Sequence, residues 1–256
     1  LQTHSQLAVI GGGPAGLRAA EVAATAGLQV TLYDGKPSVG RKFLVAGKGG
    51  LNLTHGEAFE RFVNRYSGPD QPAEIWQSLI SDFDPAALRA WAAELGVETF
   101  QATSGRVYPR ALKAATLLRR WIERLRGLGV RFEMNHRWTL LVPGAPYQLG
   151  FANGASATAD AVIFALGGGS WSKTGSDGGW AGIFGNLGIA LNPLAPANCG
   201  WEYAWSPAVL AQAEGQPLKN IHVSAGDRTA IGELMLTRYG LEGGAIYQLG
   251  AALRAM

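Results

Sequence analysis

Four apolar residues, Leu7 to Ile10, run into Gly-Gly-Gly-Pro, and beyond that break the apolar positions recur with the period of a helix. The pattern predicts a buried strand over 7–11, a helix over 14–27 and a second strand over 28–34. A βαβ unit of this length implies parallel pairing with a right-handed crossover. "PAEIWQSLISDF" and "DPAALRAWAAELG" read as two short helices with proline at or near the start of each. "VETFQATSGRVYP" reads as a hairpin turning at Ser104-Gly105. A helix from about Ala111 to Arg126 should place Leu112, Ala115, Leu118, Ile122 and Leu125 on its apolar face. Arg119, Arg120, Arg124 and Arg126 would then lie largely on other, solvated faces.

The strand "VRFEMN" follows, then a short meander over "RWTLLVPGAPYQLGFANG" and a fully buried strand in "ADAVIFALGGG". The proline-rich "LNPLAPANCGWEYAWSP" marks a change of organisation and a domain boundary near residue 190.

Glycine in a regular element costs stability, so three in succession after a buried strand need a cause. Gly11, Gly13 and Gly16 make the pattern G-x-G-x-x-G between strand and helix, and Asp34 closes the second strand 23 residues after Gly11. In this setting Gly11 permits the tight turn, Gly13 lets backbone N–H groups approach a pyrophosphate, and Gly16 lets helix and strand pack closely. Pro14 suits the first helical turn, where its missing N–H is no loss, and with Ala15 it opens a helix whose N-terminus attracts phosphate. Asp34 is expected to accept from a ribose hydroxyl and to disfavour a 2′-phosphate. A glycine-rich turn of some other α/β protein is the competing reading. A buried strand ending in glycines behind a meander favours an FAD domain of the two-dinucleotide-binding type over an ordinary NAD domain.

Composition narrows the classes. Hydrophobic residues make up 47% of the 256-residue chain and charged residues only 16%, against an average near ~25%. The 36 glycines are roughly twice the average share, so tight backbone contacts are over-supplied. A net charge of +3 suits a phosphorylated small molecule and is thin for a nucleic-acid binder. No window reaches the ~18 apolar residues of a membrane span. The apolar opening carries Arg18 and Glu21 without a basic leader, and Cys199 is the single cysteine, so a cytoplasmic protein without disulfides is expected. The lone cysteine also excludes a dithiol relay. His4, His55, His136 and His222 share no metal-like spacing, and no metal site is expected.

Five segments, "VIGGGPAGLRAA", "GRKFLVAGKGGLNLTH", "SGRVYPRALKA", "FALGGGSWSKTGSDGGWAGIFGNLGIALNPLAPANCGW" and "GELMLTRYGLEGGAIYQLGAAL", resemble the BaiN-like (YhiN-like) NAD(P)/FAD-dependent flavoproteins, in that family's order. The resemblance implies an α/β fold, with a Rossmann-like FAD-binding domain over 1–190 and part of a β-rich, substrate-side insert over 191–256. Gly50 and Leu51 stand where most of the family has arginine and cysteine, and Glu242 and Gly244 where it has serine and proline. Family members continue past the insert with a segment that completes the flavin pocket, so this chain is expected to be truncated at its C-terminus.

Around the expected dinucleotide the sequence offers further candidates. Arg41 and Lys42 have the charge to offset two phosphates, and "GKPSVGRK" fails as a P-loop because Arg41 and Lys42 replace the needed lysine and hydroxyl. Gly47, Gly49, Gly50 and Asn52 form a loop whose exposed amides would face the isoalloxazine ring, or else a simple surface loop. Gly167 and Gly168 would let the backbone pass close to the cofactor. "SKTGSDGG" either contacts substrate or caps the next helix through Ser176 or Asp177. Thr237, Arg238 and Tyr239 are either substrate-side groups or ordinary packing.

The reading is an FAD-binding, NAD(P)H-linked oxidoreductase of a small-molecule substrate. NAD(P)H would bind transiently, since a second glycine-rich nucleotide motif is absent. A truncated non-catalytic dinucleotide-binding module and an NAD-only dehydrogenase stay open as alternatives. The sequence names no catalytic acid or base and no oligomeric state.

Overall fold

The computed structural model describes residues 5–47, 49–66, 68 and 71–256. Contacts group the chain into two units that meet between Leu191 and Asn192.

In the first unit β1 (Gln6–Ile10), α1 (Pro14–Thr25) and β2 (Gln29–Asp34) form the expected βαβ unit. After it come α2 (Arg41–Ala46), β3 (Thr54–His55), α3 (Phe59–Val63), α4 (Ala73–Ser81) and α5 (Pro85–Glu94). Then follow β4 (Thr99–Gln101), β5 (Arg106–Pro109), α6 (Ala114–Gly127) and β6 (Arg131–Met134). The meander is β7 (Trp138–Val142), β8 (Tyr147–Phe151) and β9 (Ser156–Ala159), and β10 (Ala161–Phe164) and α7 (Trp180–Asn186) complete the unit.

The central sheet has the order β10–β1–β2–β6, and every pair in it is parallel. Alternation along β1 explains its two coverings. Leu7 and Val9 face a core shared with α1, α5 and α6, while Ala8 and Ile10 face the antiparallel meander and α7. On the meander side Trp138, Phe164 and Phe184 form a ring cluster with centroids 4.6–5.3 Å apart. The hairpin β4–β5 turns through Gly105 at φ +81°, and β3 adds to it as a third strand.

Three expectations need correction. The strand ending in glycines is not fully buried: β10 alternates exposed and half-buried residues because it lies at the edge of the described sheet. The helix expected from Ala111 begins at Ala114, because Leu112 takes φ +54° and stays outside. Its buried stripe is therefore Ala114, Leu117, Leu118, Trp121 and Leu125, with Leu112 and Ala115 exposed. Arg124 sits at the border of that stripe rather than on a solvated face, and it serves an ion-pair cluster.

Glu21 is the centre of that cluster. It belongs to the buried stripe of α1 and is only 4% exposed. Its carboxylate accepts from Trp91 Nε1 at 3.0 and 3.1 Å, Trp121 Nε1 at 2.9 Å, and Arg124 and Arg18 Nη1 at 3.1 Å each. A buried charge is tolerated when its lone pairs are filled in this way. Burial pushes the Glu21 carboxyl up, but the Trp91, Arg124, Arg18 and Trp121 donors together hold it below its ordinary value of 4.5. One side chain thus ties α1 to α5 and α6.

The second unit contains β11 (Trp201–Glu202), α8 (Pro207–Ala213), β12 (Pro217–Ala225), β13 (Arg228–Thr237), β14 (Gly240–Glu242), α9 (Gly244–Gln248) and α10 (Gly250–Ala255). Its antiparallel sheet has the order β11–β14–β13–β12, and Ala245 and Ile246 of α9 are buried in its cores.

Because the folded pKa of Glu21 is depressed, its stabilisation is present above the unfolded value of 4.5 and is lost as pH falls through the lower folded value. Glu21→Gln should cost about 2 kcal/mol at pH 7, since it removes the charge that the two arginines face. Urea denaturation of both proteins should show that difference, shrinking as the pH is taken below 4.5. An equal deficit at all pH values would contradict the cluster's charged state.

Candidate functional site

The carboxyl ends of β1, β2 and β10 converge on the turn Gly11–Gly13, the place where open α/β sheets hold ligands. Each glycine there has a different reason to be glycine. Gly11 sits at φ +110°, and a Cβ on it would lie 2.3 Å from the Ala165 carbonyl oxygen. A Cβ on Gly12 would lie 2.5 Å from Val39 and 2.7 Å from the Asp34 carboxylate. On Gly16 it would lie 1.8 Å from the Gly11 carbonyl oxygen. Gly11 and Gly16 are closed by backbone approach and Gly12 by the side chains of Val39 and Asp34. Gly13 differs: its φ of −78° is ordinary, and a Cβ would meet no protein atom within 4 Å. The space in front of Gly13 is open.

The N–H groups of this turn divide in the same way. Gly11 donates to the Tyr33 carbonyl at 2.8 Å and Gly12 to Asp34 Oδ2 at 2.8 Å. Among the described residues, the N–H groups of Gly13, Ala15 and Gly16 donate to no protein acceptor. No side chain caps α1 and no acidic residue lies in its first turn, so the positive end of the helix is unopposed. Pro14 occupies the first turn.

Asp34 holds the neighbouring loop. Its Oδ1 accepts from Lys36 N–H at 2.8 Å while Oδ2 serves Gly12. Burial pushes its carboxyl above the ordinary range, and the N–H groups of Lys36 and Gly12, then the charges of Arg41 and Lys36, offset this only in part. Two lone-pair sites therefore go to backbone, and a carboxylate has about four. The expected ribose contact competes for what remains.

The loop 35–42 is fixed over the turn by Gly40 N–H donating to the Gly12 carbonyl at 2.8 Å. It delivers Arg41 and Lys42 to the site. Arg41 Nη1 reaches Ser38 at 3.4 Å, while its buried Nε has no protein partner among the described residues. Lys42 Nζ donates to Ser170 Oγ at 3.2 Å, tying α2 to the glycine segment that follows β10.

In that segment Gly167, at φ +73°, accepts from Trp180 Nε1 at 3.0 Å, and the Gly168 carbonyl accepts from the Ser176 hydroxyl. Asp177 accepts from Gly179 N–H at 3.0 Å and pairs with Arg137 at 2.9 Å, which together hold its carboxyl below the ordinary range. Neither Ser176 nor Asp177 is the N-cap of α7, which is Gly179.

Gly47, Gly49, Gly50 and Asn52 are placed elsewhere. Gly47 N–H donates to Phe43 and Gly50 N–H to Gly47, so the exposed amides expected at these two positions are already spent closing the end of α2. A Cβ on Gly47 would lie 2.5 Å from that of Ala114, so this glycine serves packing against α6. Gly49 has open space at its Cβ position, and Asn52 is exposed. Leu51 is buried in the core.

In the second unit Arg238 is paired with Glu214 at 3.1 Å, and Tyr239 is exposed. Among the described residues no group of three or more His, Cys, Asp or Glu is placed to hold a metal ion, and His4 lies outside them. No described helix is long and apolar enough to cross a membrane.

Sequence reasoning missed Lys36, Ser38, Arg137, Ser170 and Glu21. Ser170 meets Lys42 across 128 residues and Arg137 meets Asp177 from another loop, separations that no spacing rule joins, while Lys36 and Ser38 act on Asp34 and Arg41 from within their own loop. For Glu21 a signal existed: an acidic residue four positions after Leu17, on the stripe that α1 buries.

Against known proteins, the HI0933-like protein Rossmann domain matches residues 5–246. A 3-dehydro-bile acid delta(4,6)-reductase of Clostridium scindens is 30% identical over 252 residues, which is 96% of this chain and 59% of that protein. The chain thus spans about three-fifths of the length of this curated relative. Among solved structures, an open flavocytochrome c3 fumarate reductase aligns with a TM-score of 0.49 and 22% identity, over 65% of this chain and 34% of that one. The 3-ketosteroid-delta4-(5alpha)-dehydrogenase of Rhodococcus jostii RHA1 aligns with a TM-score of 0.46 and 18% identity, over 65% and 46%. With a family domain matching nearly its whole length, the chain belongs to the HI0933-like (BaiN/YhiN-like) flavoprotein family.

Proposed function

We propose that this chain is the FAD-binding portion of an NAD(P)H-linked oxidoreductase acting on a small molecule. The observation that carries the reading is the mouth of α1. Among the described residues three N–H groups there have no protein acceptor and the Cβ position of Gly13 is open, while protein contacts close those of Gly11, Gly12 and Gly16. Such an arrangement fits a diphosphate, because N–H donors and the helix dipole act together on the anion.

The remaining residues take roles consistent with that placement. Gly13, Ala15 and Gly16 donate to the phosphate oxygens, and Pro14 leaves the approach free of a competing donor. The unpartnered Nε of Arg41 supplies a charged donor beside them, and Lys42 a second cation. Asp34 orients a ribose hydroxyl with the lone pairs not used by Gly12 and Lys36. Gly167 and Gly168 pass the backbone beside the cofactor, and Gly49 and Asn52 are offered to its isoalloxazine end, with Gly47 and Gly50 closing the loop that carries them rather than donating to the ring. When bound, FAD supplies hydride acceptance, and the protein supplies position and electrostatics. A single cysteine suits a reducing, cytoplasmic setting.

The activity of the Clostridium scindens relative makes a 3-dehydro-bile acid the first electron acceptor to assay. Purified protein should be yellow, and NADH or NADPH should bleach it anaerobically. Flavin that binds but is never reduced would favour a non-catalytic module. Stabilisation by NADH without any effect of FAD would favour an NAD-only dehydrogenase and overturn the reading.

Gly13→Val is the sharpest variant, because a Cβ at this position meets no protein atom within 4 Å, whereas it enters the space that the diphosphate needs. Its unliganded melting temperature should match the parent while FAD affinity falls about 100-fold, the equivalent of two charge-assisted hydrogen bonds. Gly16→Ala should do the reverse in order of cause. Its Cβ would meet backbone at 1.8 Å, so it should lower stability by about 2 kcal/mol or more before any ligand is added. Calorimetry and FAD titration of both variants separate the two roles.

A further inference from the structure

We propose that an apolar cavity between α1, α5 and α6 is a binding site for a neutral, planar aromatic molecule of one or two rings, separate from the α1 mouth. The cavity holds about 230 Å³. Phe43, Phe83, Trp91 and Trp121 give it four aromatic walls from four different segments of the chain. An unfilled space of this kind leaves its lining atoms without dispersion partners on one side.

The class of ligand follows from what the walls do not offer. Both indole N–H groups are committed to the Glu21 carboxylate. Arg18, at the rim, pairs with Glu21 at 3.1 Å, and its guanidinium lies 4.3 Å from the Phe83 ring centroid. Arg124 shares Glu21 with Glu94 at 3.3 Å. Two arginines thus face two carboxylates, and the cluster has no net charge left for an ionic ligand. What remains toward the cavity is ring faces and hydrocarbon, which prefer offset or edge-on aromatic contacts. Size points the same way. An engineered apolar cavity of about 150 Å³ takes benzene, and drug-sized pockets begin near roughly 300 Å³.

This proposal does not rest on FAD binding, although Pro14 belongs both to the cavity wall and to the first turn of α1. The test is a thermal melt of the full chain with 1-methylindole, which is neutral and has no N–H donor, and with 1-methylindole-3-carboxylate as its charged counterpart. The neutral compound should raise the melting temperature by about 3–6 °C at a tenfold excess over its Kd, and the carboxylate should not. No shift with the neutral compound, or equal shifts with both, overturns the proposal.

Two cavity-filling variants locate the effect. Leu88→Trp and Leu53→Phe each place a larger group in the cavity and should abolish the shift while the unliganded protein melts no lower. If one fails to fold, the other decides, and a shift that persists in a folded filled variant puts the ligand elsewhere and overturns the proposal. In Gly13→Val the shift should survive. Loss of the shift on saturation with FAD would make the cavity part of the cofactor site, defeating this inference while leaving the FAD reading intact. A surviving shift in a protein that never binds FAD would defeat only the latter.

Discussion

The structure depends on how closely the first helix approaches the first strand. At Gly16 and Gly11 the backbones meet with no space for even one carbon between them. That closeness aims the start of α1 at the carboxyl edge of the sheet. The N–H groups of Gly13, Ala15 and Gly16, which the helix itself cannot pair and no side chain caps, are thereby presented at that edge. A helix whose first N–H groups had been capped by a side chain would be more stable alone and useless as an anion site. Asp34 completes the arrangement from β2 by accepting from both Gly12 and Lys36, so the turn and the following loop share one anchor.

A second constraint acts on the far side of the helix. Glu21 lies little more than one turn beyond Gly16, and it is gripped by two indoles and two guanidinium groups from α1, α5 and α6. Apolar packing alone is tolerant of small rotations, whereas a carboxylate with five donor contacts is not. The rotation of α1, and with it the direction of its N–H groups, is thereby set from a buried point about two helical turns beyond its start. Burial of Leu17 and Ala20 on the same stripe adds the non-directional part of the stabilisation.

Much of this was legible in the sequence where physics is local. The βαβ unit, the glycine turn, the Ser104-Gly105 hairpin and the meander all follow from short-range patterns, and the family resemblance that they suggested is met by the family match. Legibility failed where the deciding partner was distant. Leu112 looked like the start of an apolar stripe, but its positive φ leaves it outside α6, and the stripe that packs into the core runs through Ala114, Leu117, Leu118, Trp121 and Leu125. The strand before Gly167 looked fully buried from its run of apolar residues, yet its exposure is set by its edge position in the described sheet. Gly47 looked like a ligand-facing glycine and turned out to make room for Ala114, a contact that no motif announces. Ser170 meeting Lys42 and Arg137 meeting Asp177 belong to the same class of long-range facts.

The chemistry therefore stands or falls on three amide hydrogens. Amide-resolved NMR of the isotope-labelled chain, recorded with and without FAD, observes them directly. The Gly13, Ala15 and Gly16 signals should move strongly downfield on addition of FAD, as new hydrogen bonds to phosphate oxygen form, and ADP should reproduce the change. If FAD binds while these three signals stay in place and the large shifts fall elsewhere, the α1 mouth is not the diphosphate site.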